Sequence, residues 1–70
     1  MRLRNLHTFL TVARLGSFHS AATQLHASQP AISARIAALE DELNVQLFVR
    51  DKRGTHLTPR GTQLLPYAEK

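Results

Sequence analysis

The stretch SQPAISARI, from Ser28 to Ile36, begins as a helix and carries a proline on its first turn. Serine is a preferred helix N-cap, and because the first amides of a helix have no intrahelical partner, Pro30 costs little at this position. On a helical wheel the apolar side chains of this helix, from Ile32 to Leu43, fall within one narrow sector. Ser33 lies beside that sector, on a flank of small or polar residues. This half of the helix carries no acidic residue, so the flank is a candidate contact surface.

The rest of the chain predicts two helices before this one, and a hairpin and a further helix after it. Apolar residues at three- and four-residue steps indicate the helices, and a change of period from Leu47 indicates the hairpin. The predicted elements are a helix over residues 3–15 ended by Gly16, a helix from Phe18 to Leu25 capped by Ser17, a turn at His26 and Ala27, the third helix running to Asn44, strands at 47–50 and 55–58 around a turn at 51–54, and a last helix from Pro59.

The hydrophobic core is predicted from the same periodicity. The apolar stripe of the first helix is predicted at Leu3, Leu6, Leu10 and Ala13, widened by Phe9 and Val12. Ile36 belongs to the narrow apolar stripe of the third helix. The three phenylalanines are assigned to packing rather than to base stacking. Leu47 and Phe48 are therefore expected to anchor the hairpin.

Two helices joined by a tight turn, the second with base-reading side chains near its N-terminus, form a helix-turn-helix, and a basic-tipped hairpin after it adds a wing. We therefore predict a mainly α, winged helix-turn-helix fold with a three-helix core, a two-stranded β-hairpin wing and the start of a C-terminal linker helix. The helix-turn-helix is predicted at about 18–37 and the wing at about 47–58, both within a DNA-binding domain of residues 1–58.

The charge pattern and the side-chain chemistry favour double-stranded DNA as the partner. Nine Lys and Arg residues oppose five Asp and Glu residues, which gives a net charge of +4, and Arg50, Lys52 and Arg53 fall in the hairpin. The unpaired amides and the dipole at the start of the third helix attract phosphate. There, Gln29 can bond bidentately to adenine, and small neighbours such as Ala34 let the backbone approach the major groove.

The composition disfavours several other function classes. Cysteine is absent and the four histidines lack metal-ligand spacing, so neither a disulfide, a metal nor a cofactor is expected. The acidic residues are adjacent or isolated, and no nucleophile motif or phosphate loop occurs, so no enzyme activity is expected. No apolar run reaches the length of a membrane span and no signal peptide is recognisable, so the expected location is cytoplasmic.

Two alternatives to DNA binding remain open from the residues alone. In the first, the winged fold docks its third helix into a groove of a protein partner. In the second, a basic amphipathic helix lies on a membrane. The membrane interpretation ranks last, because the basic residues concentrate in the hairpin rather than along one helix face.

Two segments resemble the N-terminal winged helix-turn-helix domain of LysR-type transcriptional regulators, and together they cover essentially the whole chain. They are GSFHSAATQLHASQPAISARIAALEDELNVQLFVR and LTPRGTQLLPYA. The residues at family spacing are Gly16-Ser17-Phe18, Ala21-Ala22, Leu25, Ser28-Gln29-Pro30, Leu39-Glu40, Leu43, Leu47-Phe48, Arg50, Leu57-Thr58 and Gly61.

The resemblance implies a bacterial regulator whose segment from Phe18 to Ala37 binds DNA, with the wing residue Arg53 at the adjacent minor groove or backbone. Residues 59–70 would begin a linker helix that pairs two subunits on an inverted-repeat operator, with a higher oligomer in the full-length protein. An effector-binding domain would follow, so the chain is expected to be an excised fragment. The family often has arginine directly after the serine, whereas here Ala34 stands there and Arg35 follows, about 100° further round the helix. The candidate DNA-contacting residues are therefore Ser28, Gln29, Pro30, Ser33, Ala34, Arg35, Arg50, Lys52 and Arg53.

Overall fold

The computed structural model describes residues 1–69 and consists there of four helices and one two-stranded sheet. The predicted winged helix-turn-helix architecture is confirmed. Lys70, the last residue of the predicted linker range, lies outside the described residues. In chain order the elements are α1 (Leu3–Leu15), α2 (Phe18–Leu25), α3 (Gln29–Leu43), β1 (Phe48–Asp51), β2 (Gly54–Leu57) and α4 (Pro59–Ala68).

Three hydroxyl side chains fix where α2, α3 and α4 begin. Ser17 accepts a hydrogen bond from the backbone N–H of Ser20, and Ser28 accepts one from that of Ala31. Thr58 does the same for the first turn of α4. Each cap pairs an amide that the helix itself leaves free, which is worth about 1 kcal/mol. The predicted caps of α2 and α3 are confirmed.

Left-handed backbone conformations end the first three helices. Gly16 follows α1 with φ of 67°, and His26 and Asn44 follow α2 and α3 with φ of 54° each. After His26 only Ala27 and the cap residue Ser28 precede α3. The turn predicted at His26 and Ala27 is confirmed, and it holds the starts of α2 and α3 in a fixed relation.

The core is built around the three phenylalanine rings. Phe48 of β1 lies 5.4 Å from Phe9 of α1 and 5.8 Å from Phe18 of α2, measured between ring centroids. Ile36 is 3% exposed and Leu47 is fully buried. The predictions that Ile36 and the phenylalanines are core residues, and that Leu47 and Phe48 anchor the wing, are therefore confirmed.

The predicted apolar stripe of α1 is wrong at its start. Leu3 is 82% exposed, whereas Phe9, Leu10 and Val12 of the predicted stripe are buried, together with the polar residues Asn5, Thr8 and Thr11. Asn5 and Thr8 are spaced on the same helix face as Phe9 and Val12, but an apolar period does not include them because they are polar. Thr8 is buried at little cost because its hydroxyl donates to the carbonyl of Arg4 at 2.8 Å.

The wing is a tight antiparallel hairpin whose strands are shifted by one residue from the predicted ranges. Phe48 pairs with Leu57 and Asp51 pairs with Gly54, so the turn itself contains only two residues. Leu47 lies outside β1 because its backbone N–H is bonded to a side chain of α3 rather than to the opposite strand. Its N–H donates to the carboxylate of Glu40 at 2.7 Å, and its carbonyl accepts from the N–H of Thr58 at 2.9 Å.

The start of α4 packs closely against the base of the wing. Gly61 is buried, and a Cβ added to it would collide with the backbone carbonyl of Leu47 and lie 2.8 Å from Leu57 Cδ2. Glycine is therefore required by this close approach. The close packing of α4 against the wing is possible because glycine has no Cβ at this position.

Candidate nucleic-acid interface

The N-terminal end of α3 projects from the body of the protein. Ser28, Gln29, Pro30 and Ala34 are exposed, and Ser33 is half-buried. The first turn of α3 contains no acidic residue. This end therefore offers the positive end of the helix dipole and small polar side chains to a partner, although the Ala31 amide is already paired with Ser28 and Pro30 has no amide proton.

The side chain of Gln29 contacts His19, and the sequence did not predict this contact. Its side-chain Nε2 lies 3.1 Å from Nδ1 of His19, which belongs to the first turn of α2. No role was predicted for His19, because it lies ten residues before Gln29 in a different helix and periodicity does not connect the two. The tight turn between α2 and α3 brings the two side chains together.

Arg50 connects the wing to the helix-turn-helix. Its guanidinium carbon lies 4.1 Å from the ring centroid of Phe18, in a cation–π arrangement on a residue that is only 5% exposed. Arg50 and Gln29 line one shallow cleft, and Arg50 and Ser33 line a second one. Arg50 thus shares a cleft with each of two α3 candidates.

The other basic candidates of the wing lie at its tip. Lys52 and Arg53 form the two-residue turn and are exposed. The carboxylate of Asp51 accepts a hydrogen bond from the backbone N–H of Arg53 at 2.8 Å, and its Oδ1 lies 3.4 Å from Nε2 of His56. The tip is therefore shaped by Asp51, an acid within the basic cluster.

Arg35 occupies a different environment from its neighbour on α3. It is half-buried, whereas Ala34 is exposed. This difference agrees with the rotation of about 100° between successive residues of a helix. Arg35 is thus displaced from the position at which the family often carries arginine.

Glu40 fixes the position of the wing relative to α3. Its Oε2 accepts the backbone N–H of Leu47 at 2.7 Å and that of Phe48 at 3.4 Å. The sequence placed Glu40 among the residues at family spacing but predicted no contact with the wing. The signal that was missed is the place of this acid one turn before the end of α3, close to a strand that begins with free amides.

Residues 1–69 contain no group of three or more histidine, aspartate or glutamate side chains placed to hold a metal ion. In the same part of the chain, no helix combines the length and apolar character that crossing a membrane requires.

Comparison with known proteins agrees with this geometry. Residues 3–62 match the model of a family described as "Bacterial regulatory helix-turn-helix protein, lysR family". A relative from Azotobacter vinelandii, an uncharacterized HTH-type transcriptional regulator in the ibpB-leuC intergenic region, is 52% identical over 97% of this chain and 47% of its own length. The HTH-type transcriptional regulator HdfR of Yersinia enterocolitica is 48% identical over 91% of this chain and 22% of its own length.

A solved structure carries the same fold. The chain in the crystal structure of the CbnR_DBD-DNA complex superposes with a TM-score of 0.94 at 42% identity, covering 99% of this chain and 79% of that one. These relatives are named as transcriptional regulators, in line with the prediction that this is not an enzyme. The present chain spans less than half the length of either curated relative. From the family match, the identities and the fold together, the chain belongs to the LysR family of bacterial regulatory helix-turn-helix proteins.

Proposed function

We propose that this chain is the sequence-specific, double-stranded DNA-binding domain of a LysR-type transcriptional regulator that acts in the bacterial cytoplasm. In this proposal α3 enters the major groove by its N-terminal end, and the wing rests on the adjacent minor groove or the phosphate backbone. The observation that carries the proposal is the exposed, acid-free start of α3, with Gln29 and Arg50 lining the same cleft. Residues 1–58 form the DNA-binding domain, and residues 59–70 begin a linker helix.

Each candidate on α3 has a proposed role that follows from its chemistry and exposure. Gln29 reads a base edge, because its amide can donate and accept at once. Ser28 and Ser33 bond phosphate or base edges, while Pro30 and Ala34 are small or compact enough for a close approach of the backbone. Arg35 is half-buried and is assigned to phosphate rather than to a base.

The wing candidates act mainly through their charge. Lys52 and Arg53 are exposed at the tip and can neutralise phosphates or enter a narrow minor groove. Arg50 differs from them because its guanidinium packs on the Phe18 ring, which limits the conformations of its side chain in the DNA-free protein. We therefore assign Arg50 to a phosphate close to the start of α3.

We further propose that α4 begins the helix through which two subunits pair on an inverted-repeat operator, with a higher oligomer in the whole regulator. Support comes from the apolar groove between α1 and α4, which Leu3, Leu10 and Tyr67 help to line. Leu3 is 82% exposed and Tyr67 is 71% exposed. Exposed apolar side chains that share one groove are typical of surfaces that another chain covers, whereas isolated ones are not.

Selection of binding sites from random duplex DNA with the purified chain tests the proposal. Recovery of one recurrent sequence is expected, and an inverted repeat of it would support pairing of two subunits. Binding to the recovered duplex should weaken steeply with salt, with a linear dependence of log K on log salt concentration. Failure to enrich any sequence, or an affinity indifferent to salt, would instead favour docking of α3 on a protein partner.

A further inference from the structure

We propose that His19 is a positioning residue for base recognition, which holds the side-chain amide of Gln29 in the orientation that reads DNA. The inference rests on the proposed base contact of Gln29. Its structural basis is the 3.1 Å separation between Nδ1 of His19 and Nε2 of Gln29.

The two side chains extend from helix starts that are themselves fixed. The Ser17 hydroxyl caps α2 directly before the turn that carries His19, and the Ser28 hydroxyl caps α3 directly before Gln29. Both His19 and Gln29 are exposed. An exposed side-chain hydrogen bond replaces bonds to water and adds little to folding stability. The consequence of this contact is therefore the orientation of the amide rather than the stability of the fold.

The hydrogen bond to His19 leaves one amide N–H and the Oε1 atom of Gln29 free to contact a base. In a neutral imidazole with its proton on Nε2, Nδ1 accepts a hydrogen bond, and it can do so from one N–H of the Gln29 amide. The second N–H and Oε1 then remain available. Adenine presents an acceptor at N7 and a donor at N6 in the major groove, which requires one donor and one acceptor from the protein. His19 thus selects the amide orientation that keeps this combination.

Without His19 the amide has no fixed orientation. The terminal torsion of glutamine is broad, so a free side chain samples orientations that present either the oxygen or the nitrogen to a given atom. Ordering such a side chain at the moment of binding costs affinity. From the usual cost of immobilising one flexible side chain, the expected loss of base discrimination is about 2- to 10-fold.

The test compares base preferences of the 70-residue chain and its variants after selection from random duplex DNA and sequencing. Gln29→Ala should flatten the preference at the position that Gln29 reads. His19→Ala should reduce discrimination at that same position by about 2- to 10-fold and leave other positions unchanged. His19→Asn should restore much of the preference, because its side-chain oxygen can accept the same amide N–H. His7→Ala, an exposed histidine of α1, is the matched control and should change nothing.

A double variant separates positioning from direct contact. In the Gln29→Ala background, His19→Ala should have no further effect on base preference. A further loss there would mean that His19 contacts DNA by itself, and the inference would be wrong. Should Gln29→Ala flatten one position while His19→Ala leaves it intact, the inference fails but the proposed role of Gln29 stands. Base preferences unchanged by Gln29→Ala would refute both.

Differences in base preference among these variants should not arise from differences in folding stability. Because both side chains are exposed, the variants should melt like the unmodified chain. If His19→Ala melts at a lower temperature, His19→Asn decides the matter, since a purely structural role of His19 would not make its rescue specific to one base position.

Discussion

Arg53 and Gln29 both belong to the proposed DNA surface, but their settings assign them different kinds of contact. Gln29 extends from a capped helix start and is held by His19, which suits a directional contact with a base edge. Arg53 lies in the turn of the wing, where its backbone N–H is held by Asp51 and its side chain is exposed. The long guanidinium arm is therefore suited to finding a phosphate rather than to reading one base.

We expect Arg53→Ala to weaken binding to the selected duplex and to a scrambled duplex by a similar factor. One fewer counterion would be released, so the slope of log K against log salt concentration should become shallower by about one unit. Fluorescence anisotropy across a salt series measures both quantities.

The matched control for Arg53→Ala is Arg14→Ala, which removes the same charge from α1. Arg14 lies near α4, with its guanidinium 3.8 Å from the carboxylate of Glu69. The control should leave the salt slope nearly unchanged. Equal changes of slope in the two variants would indicate that the wing contributes only to the overall charge of the domain.

Among the elements, the wing is attached to the rest of the fold by a few backbone contacts. Glu40 of α3 accepts two amides at the start of β1, and the carbonyl of Leu47 accepts the amide of Thr58 directly before α4. The wing therefore takes its position from the helices on both sides of it. In the proposed binding mode a rigid wing matters, because its tip must reach the minor groove or backbone next to the major groove that α3 enters.

Glu40→Ala should loosen the wing and lower the free energy of unfolding by about 1.5–3 kcal/mol, the usual range for a hydrogen bond to a charged group. Glu40→Gln should be milder, since its amide oxygen can still accept the amides of Leu47 and Phe48. Urea denaturation measures stability, and hydrogen exchange at those two amides measures the local effect.

Glu42→Ala provides the control on the same helix. Its carboxylate pairs with the N-terminal amine of Met1 at 2.9 Å on the surface, and such pairs contribute at most about 1 kcal/mol. If the amide hydrogens of Leu47 and Phe48 exchange at the same rate in Glu40→Ala and in Glu42→Ala, Glu40 does not hold the wing to α3.

The close approach of α4 to the wing predicts an unusual response to a small substitution. Helix propensity alone would favour Gly61→Ala by about 1 kcal/mol. The added Cβ, however, would collide with a backbone carbonyl that cannot move aside freely, and overpacking of this kind costs about 1–3 kcal/mol. We therefore expect a lower melting temperature by circular dichroism. Gln63→Ala, on the exposed side of α4, should change stability by less than about 0.5 kcal/mol, and a stabilised Gly61→Ala would mean that α4 is not seated as described.

The starts of α2 and α3 could be predicted from sequence because each depends on a local signal. Ser17 and Ser28 bond to amides three residues away, and the left-handed turn at His26 belongs to the same short segment. The candidate residues at the start of α3 could be named for the same reason, and the structure places them at an exposed helix end. Their contacts with DNA remain predictions.

The features that were missed depend on distant partners. Leu47 falls outside β1 because its N–H is bonded to Glu40, which belongs to α3. The pairing of His19 with Gln29 likewise needs the tertiary placement of α2 against α3. Each of these contacts joins side chains or amides of different elements, so the periodicity of a single sequence carries no pattern that would reveal them.

For the whole molecule, binding of one copy is expected to be weak, because a single α3 engages only one half-site. Fusing a strong dimeric coiled coil after Lys70 should raise affinity for a palindromic duplex, since the second half-site is then bound at a high effective concentration. Anisotropy measurements on duplexes of varied half-site spacing should show an optimum. The same fusion with prolines in the coiled coil is the control, and an affinity that stays flat across spacings and linker lengths would contradict the two-half-site arrangement.

The exposure of Tyr67 gives this protein an intrinsic optical reporter. The chain contains one tyrosine and no tryptophan, so its ultraviolet fluorescence arises almost entirely from that single phenol. Tyr67 is 71% exposed on α4, next to the groove proposed to meet a second subunit. Pairing of two chains through this groove would move the ring out of water. Tyrosine emission of the unlabelled chain, measured as a function of its own concentration, would then register self-association without a dye, a tag or DNA.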